Sequence, residues 1–172
     1  VPLRRLRTLL AERAEEIAEI FGREIGRPLQ ESLGAEILPT LAHVDFLLKR
    51  APALLGERRI GRGSIEMPVP VGTAAVIGAW NYPLFLNLVP VLQAAVAGCS
   101  VLFKPSEHSV GTGQFISKLI ADAGFPKGLV SVLYGSGEVG RLVVKADIDK
   151  LYFTGGSDTG RSILAELAKR GI

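Results

Sequence analysis

An uncharged amide, a lysine beside a glutamate, and two stretches of bare backbone stand where four apolar runs of this chain end. The runs close with Trp80-Asn81-Tyr82-Pro83, Lys104-Pro105-Ser106-Glu107, Gly135-Ser136-Gly137-Glu138-Val139-Gly140 and Phe153-Thr154-Gly155-Gly156-Ser157. The Asn81 side chain can donate hydrogen bonds to an oxygen that gains charge during a reaction, and one such donor is typically worth ~10²–10³ in rate. Its ordinary alternative is a turn or capping asparagine before Pro83. Glu107 can accept from ribose hydroxyls while Lys104 donates to the same sugar or to phosphate. The plainer reading of that pair is a surface ion pair, worth ~0–1 kcal/mol.

Two clusters offer backbone. Thr154-Gly155-Gly156-Ser157-Asp158-Thr159-Gly160 runs from a strand into a helix, where orphan N–H groups and the helix dipole suit a phosphate and glycines let it approach. A turn capped by Ser157 or Asp158 is the alternative. Gly135-x-Gly137-x-x-Gly140 matches the dinucleotide motif in the right strand-to-helix setting. The acidic partner expected at the end of the next strand is replaced by Thr154-Gly155-Gly156, so a tight turn with close helix packing stays open as an explanation. Together the clusters are the equipment for a nucleotide and a reacting carbonyl.

Such groups need elements that bring them to one edge. After residue 70 strands are expected at 73–77, 100–103, 129–134 and 150–153, alternating with helices at 84–97, 110–123, 138–145 and 158–169. Apolar strands alternating with helices predict a Rossmann-like parallel sheet covered on both faces, joined by right-handed crossovers. All four clusters then open at the carboxyl edge, where α/β folds bind ligands. Before residue 70, Leu3, Leu6, Leu10, Ala14, Ile17 and Phe21 mark one amphipathic helix. Gly26-Arg27-Pro28 punctuates it, and a second helix carries Ile37, Leu41, Val44 and Leu48 on one face. Residues 52–63 read as a loop, with a small β excursion over 58–69. The expected division is a helical and β lead-in over 1–66 and a partial dinucleotide-binding domain over 67–172.

Composition narrows the class. The 172 residues are 48% apolar, enough for a sizeable core, and the net charge of +3 is too small and scattered to argue for nucleic acid. A single cysteine excludes an internal disulfide and fits a reducing, cytoplasmic setting. Cys99 itself reads as a small buried hydrophobe at the start of a strand. Two histidines far apart, His43 and His108, give no metal signature. No charge falls between Met67 and Phe103, but Pro70, Pro83 and Pro90, three glycines and the polar Asn81, Asn87 and Gln93 argue against a membrane span there. The chain starts at Val1 and stops at Ile172 directly after a helical pattern, so it reads as a piece of something longer.

The ordered set of motifs resembles the aldehyde dehydrogenase superfamily. The resemblance rests on Pro70-Val71-Gly72, Trp80-Asn81-Tyr82-Pro83, Ala97-Gly98, Lys104-Pro105-Ser106-Glu107, Gly124-Phe125-Pro126-x-Gly128, and Phe153-Thr154-Gly155 with Gly160-Arg161. It implies an NAD(P)-dependent oxidation of an aldehyde to a carboxylic acid, through a cysteine thiolate and a glutamate base that lie beyond this sequence. Asn81 would be the side-chain half of the oxyanion hole, Lys104 and Glu107 would hold the adenosine ribose, and Ser106 between them would belong to the cofactor site. Gly155, Gly156 and Ser157 would sit by the pyrophosphate. Ile77, Gly78, Ala79 and Trp80 would line the cofactor cleft, with Gly137, Gly140, Phe153 and Thr154 completing the cofactor side. Tyr82 and Phe85 are candidates for the substrate wall. Glu107 favours NAD over NADP, because a carboxylate there would repel a 2′-phosphate. The family often has serine where Gly156 stands and asparagine where Cys99 stands, so one hydroxyl contact is lost and Cys99 is not the nucleophile. A homo-oligomer is the implied assembly. The alternatives are a non-catalytic nucleotide-binding or interaction module, and a related acyl-phosphate or acyl-CoA reductase.

Overall fold

The apolar stripe at the start of the chain folds, but not as one rod. The computed structural model describes residues 2–171, and in it the stripe forms α1 (Pro2–Glu12) and α2 (Ala14–Ile25) on either side of a bend at Arg13 (φ −103°, ψ 21°). The bend lets the Arg13 guanidinium reach Asp122 at 2.7 Å, a long-range contact that residue spacing does not reveal. Gly26 ends α2 in the left-handed conformation (φ 67°), with its own N–H bonded to Gly22 and that of Arg27 to Phe21. A second rod follows: α3 (Leu29–Ser32), a π-helical turn (Leu33–Ile37) and α4 (Leu38–Leu54). It runs through Pro52, which the sequence assigns to a loop. A proline in the last turn removes only one ladder bond, and the core contacts of Val44, Leu47 and Leu48 hold the rest. The β excursion is an exposed antiparallel hairpin, β1 (Arg58–Ile60) with β2 (Ser64–Glu66).

The main sheet is parallel, as its apolar runs predict. Its strands are β3 (Thr73–Ile77), β4 (Ser100–Lys104), β5 (Val130–Val132) and β6 (Lys150–Phe153), in the order β5-β4-β3-β6. The helices between and after them are α5 (Phe85–Val96), α6 (Val110–Ala123), α7 (Gly137–Lys145) and α8 (Ser157–Ala168). Side chains alternate across a strand, so β3 serves two cores at once. Ala74 and Val76 pack with Leu88, Phe115 and Leu119, together with the leading helices through Leu6, Leu10 and Phe21. Ala75 and Ile77 pack with Val143 and Val144 of α7 and Ile163 and Leu167 of α8. Burying a side chain of the size of Val76 or Ile77 contributes about 1.5–3 kcal/mol, and with both faces covered β3 carries no polar residue but its first.

The strand order sets the functional geometry. From β3 the chain steps through α5 to β4 and through α6 to β5, then returns past them by α7 to pair β6 with the other side of β3. The loops after β3 and β6 therefore leave the sheet toward opposite faces. Between them a crevice opens at the carboxyl edge.

Candidate functional site

That crevice is an open groove of about 1070 Å³. Its wall takes Ile77, Gly78, Ala79, Trp80 and Asn81 from the end of β3, and Lys104, Ser106 and Glu107 from the end of β4. Gly137 and Gly140 come from α7, and Phe153, Thr154, Gly155 and Gly156 from β6 and its turn. All four loop ends thus converge on one space. Ser157 is the one residue of the predicted set that does not line it, although its neighbours Gly156 and Asp158 do.

The Lys104–Glu107 pair joins a buried lysine to an exposed glutamate. Lys104 is 4% exposed, and its ammonium donates to the Glu107 carboxylate at 2.8 Å. A lysine is almost never buried without a partner, and Glu107 takes one of its three N–H donors. The hydrogen bond from Lys104 is the main influence that holds Glu107 below the usual carboxylate range, with a backbone N–H and the lysine charge adding to it. The Ser106 hydroxyl accepts from the His108 N–H at 3.2 Å and so tightens the turn after β4.

The two glycine clusters resolve differently. α8 starts after Gly156, which has no side-chain cap, and Asp158 pairs with Arg161 at 2.5 Å instead of capping. The first-turn N–H groups of α8 have no intrahelical acceptor and sit at the positive end of the helix dipole. The N–H of Thr154 is already used, donating to Ile77 at 3.2 Å and extending the sheet. In the other cluster, a Cβ on Gly135 would lie 2.3 Å from Val139 Cγ2, so this glycine answers to close packing. Ser136 caps α7 by accepting from the Glu138 N–H at 3.3 Å. Gly137 and Gly140 have no neighbour within 4 Å of where a Cβ would stand, and both face the groove. One motif therefore serves packing at its first glycine and leaves open space at the other two.

Asn81 is exposed in the groove wall, and the loop carrying it is braced from within. The buried Asn87 accepts from the Ala79 N–H at 3.1 Å and donates to the carbonyls of Ala79 and Pro83 at 3.3 and 2.8 Å. A Cβ on Gly78 would lie 2.1 Å from the Asn87 amide oxygen, so the close approach requires glycine. Asn87 has no sequence motif that marks this brace: α5 carries a second amide, Gln93, and nothing local tells the two apart. Arg141, Lys145, Ser162 and Glu166 also line the groove without any motif marking them.

Beside the groove lies an apolar depression of about 200 Å³ formed by Phe85, Leu86, Val89, Pro90 and Tyr152, with Phe153 and Thr154. Leu86, Phe153 and Thr154 belong to both. Of the two candidates for a substrate wall, Phe85 lines this depression, whereas the Tyr82 ring lies under the Arg27 guanidinium, 4.5 Å from its centroid. Cys99 is 4% exposed just before β4, at the edge away from the groove. Among the described residues no group of three or more His, Cys, Asp and Glu could hold a metal ion. No described helix is long and apolar enough to cross a membrane.

A parallel sheet of this order, with a groove at the point where its strand order reverses, defines a Rossmann-like α/β protein of the dinucleotide-binding class. Comparison with known proteins is more particular: a model of the aldehyde dehydrogenase family matches residues 2–172, and the chain belongs to that family. It is 34% identical to a 4,4'-diapolycopene aldehyde oxidase of Methylomonas sp, over 97% of this chain and 33% of that protein. It is 31% identical to a 4,4'-diapolycopene-4,4'-dial dehydrogenase of Cytobacillus firmus, over 98% of this chain and 38% of that protein. Among solved structures, the NAD+ complex of an aldehyde dehydrogenase from Bacillus cereus superposes with a TM-score of 0.86 at 28% identity, over 98% of this chain and 35% of that one. The chain thus spans between 33% and 38% of the length of the curated relatives it matches.

Proposed function

We propose that this chain supplies the cofactor groove and an oxyanion-stabilising amide to an NAD-dependent aldehyde dehydrogenase, which oxidises an aldehyde to a carboxylic acid. The observation that carries the reading is the meeting of Asn81, the buried Lys104 paired with the exposed Glu107, and the start of α8 in one groove. A nicotinamide dinucleotide fits these residues: Lys104 keeps donors to spare, Gly137 and Gly140 leave room, and the uncapped α8 suits a diphosphate. When bound, it supplies the acceptor for the hydride that the aldehyde carbon loses.

The chain's own residues then divide the work. Glu107 accepts from ribose hydroxyls and Lys104 donates to the same ribose. The turn through Gly155, Gly156 and Ser157 meets the diphosphate, Ser157 by its N–H group. Ile77, Gly78, Ala79, Trp80 and Phe153 wall the cleft and exclude water. Asn81 donates its amide N–H to the carbonyl oxygen as charge develops there. Glu107 favours NAD over NADP by repelling a 2′-phosphate, and the NAD+ complex of the Bacillus cereus relative supports that preference. Cys99, buried at the opposite edge, takes no part.

The apolar depression beside the groove suits an apolar aldehyde, and diapolycopene aldehydes are the first substrates to test, given the two curated relatives. In this reading residues 67–172 form the dinucleotide-binding domain and 1–66 its lead-in. The intact enzyme is a cytoplasmic homo-oligomer in this reading; the exposed apolar residues Met67, Val69 and Val71 after the hairpin support the assembly. The test is Asn81→Ala in the intact enzyme. Steady-state kinetics should show turnover falling roughly 10²-fold with only a modest change in NAD affinity. Near-normal turnover would remove Asn81 from the mechanism.

A further inference from the structure

A buried ion pair stands directly behind Asn81. Arg27 has a side chain 8% exposed, and Glu36, in the π-helical turn, is fully buried. One terminal nitrogen of Arg27 donates to Glu36, and the other donates to the backbone carbonyl of Asn81 at 2.5 Å. The Arg27 Nε reaches Glu31 at 3.3 Å, and the guanidinium plane covers Tyr82. The second oxygen of Glu36 accepts from the N–H groups of Leu84 and Phe85 at 2.8 and 2.9 Å. Two side chains from the lead-in, Arg27 in the turn between α2 and α3 and Glu36 in the π-helical turn, therefore grip the backbone of residues 81–85 at both ends.

Each gripping residue is itself fixed. The left-handed cap at Gly26 turns the chain so that Arg27 points back toward the sheet. The π-helical turn carries Glu36, whose carbonyl also accepts from the Thr40 hydroxyl at 2.6 Å. Burial pushes the Glu36 carboxyl up, and the amides of Phe85 and Leu84 and the charge of Arg27 oppose that push. A buried ion pair is weak as a source of stability, because apolar residues of similar volume often do as well or better. Its persistence here needs another reason, and the loop it holds is the one that carries Asn81.

We propose that Arg27, oriented by Glu36, is a positioning residue that holds Asn81 at the angle its amide needs to meet the carbonyl oxygen. This rests on the reading of Asn81 as the oxyanion donor. Arg27 touches neither substrate nor cofactor; it acts by fixing the peptide plane of Asn81 while Glu36 fixes the start of α5. Lysine cannot replace it, because a single ammonium lacks the planar fork that serves Glu36 and the Asn81 carbonyl together.

A double-mutant cycle in the intact enzyme tests this, using Arg27→Lys, Asn81→Ala and the pair. Arg27→Lys should lower kcat about tenfold, as expected for a small misplacement of a catalytic group, with NAD affinity held within about twofold. In the Asn81→Ala background the same change should have no further effect on kcat. A full, multiplicative loss in that background would overturn the proposal, as would a loss of NAD affinity equal to the loss of kcat. Should Arg27→Lys fail to fold, Glu36→Gln enters the same cycle, since it keeps the shape and an acceptor but removes the charge that orients Arg27. It should again give a kcat loss that vanishes with Asn81→Ala, and a persisting loss would overturn the idea. The two failures are separable: normal turnover of Asn81→Ala alone sinks the donor reading and the positioning role with it. An impaired Asn81→Ala with an additive cycle sinks the positioning role only.

Discussion

In the proposed function, Lys104 and Glu107 are the side chains that set cofactor choice. The lysine is buried, the glutamate faces the groove, and their contact keeps the carboxylate charged. A neutral amide at position 107 would still accept one ribose hydrogen bond but would no longer repel a 2′-phosphate. Glu107→Gln in the intact enzyme should therefore lower the ratio of NAD to NADP kcat/KM by about tenfold, a loss of roughly 1.4 kcal/mol of discrimination. An unchanged ratio would detach Glu107 from the ribose. Asn81, Lys104 and Glu107 were legible in the sequence because each closes an apolar run with a group that a buried strand end would otherwise exclude. Arg27, Glu36 and Asn87 were not. Arg27 meets Asn81 across 54 positions of chain, and neither residue carries a local pattern that names the other.

At the scale of elements, the turn from β3 into α5 is the tightest part of the site. Gly78→Ala would drive a Cβ into the Asn87 amide and loosen the brace on residues 79–83, at an expected cost of about 1–3 kcal/mol in stability. Gly137→Ala meets open space at the start of α7 and replaces glycine by a better helix former, so it should be neutral or stabilising by up to about 1 kcal/mol. Denaturant unfolding of the two variants checks the contrast, and equal destabilisation would mean the two turns are not built as described. Strand and helix positions were readable to within a few residues, since apolar runs and i, i+3, i+4 spacing survive folding. The π-helical turn was not readable, because one extra residue in a rod leaves the hydrophobic spacing nearly intact. The continuation of α4 through Pro52 escaped for a different reason: tertiary packing outweighed a local helix breaker.

The whole molecule adds what no segment holds, which is the order of the strands. Alternating elements predicted a parallel sheet, and the fold bears that out. The return of β6 to the far side of β3 depends on which faces α7 and α8 cover, and that is decided by packing between distant residues such as Ile77 and Ile163. This return turns four separate loop ends into one groove. Hydrogen–deuterium exchange of the intact enzyme, with and without NAD, tests that convergence most directly. The account predicts slower exchange on NAD binding in 78–81, 104–108, 137–141 and 154–159 together, with the hairpin over 58–66 unchanged. Protection confined to a single one of these loops, or appearing only elsewhere, would contradict it.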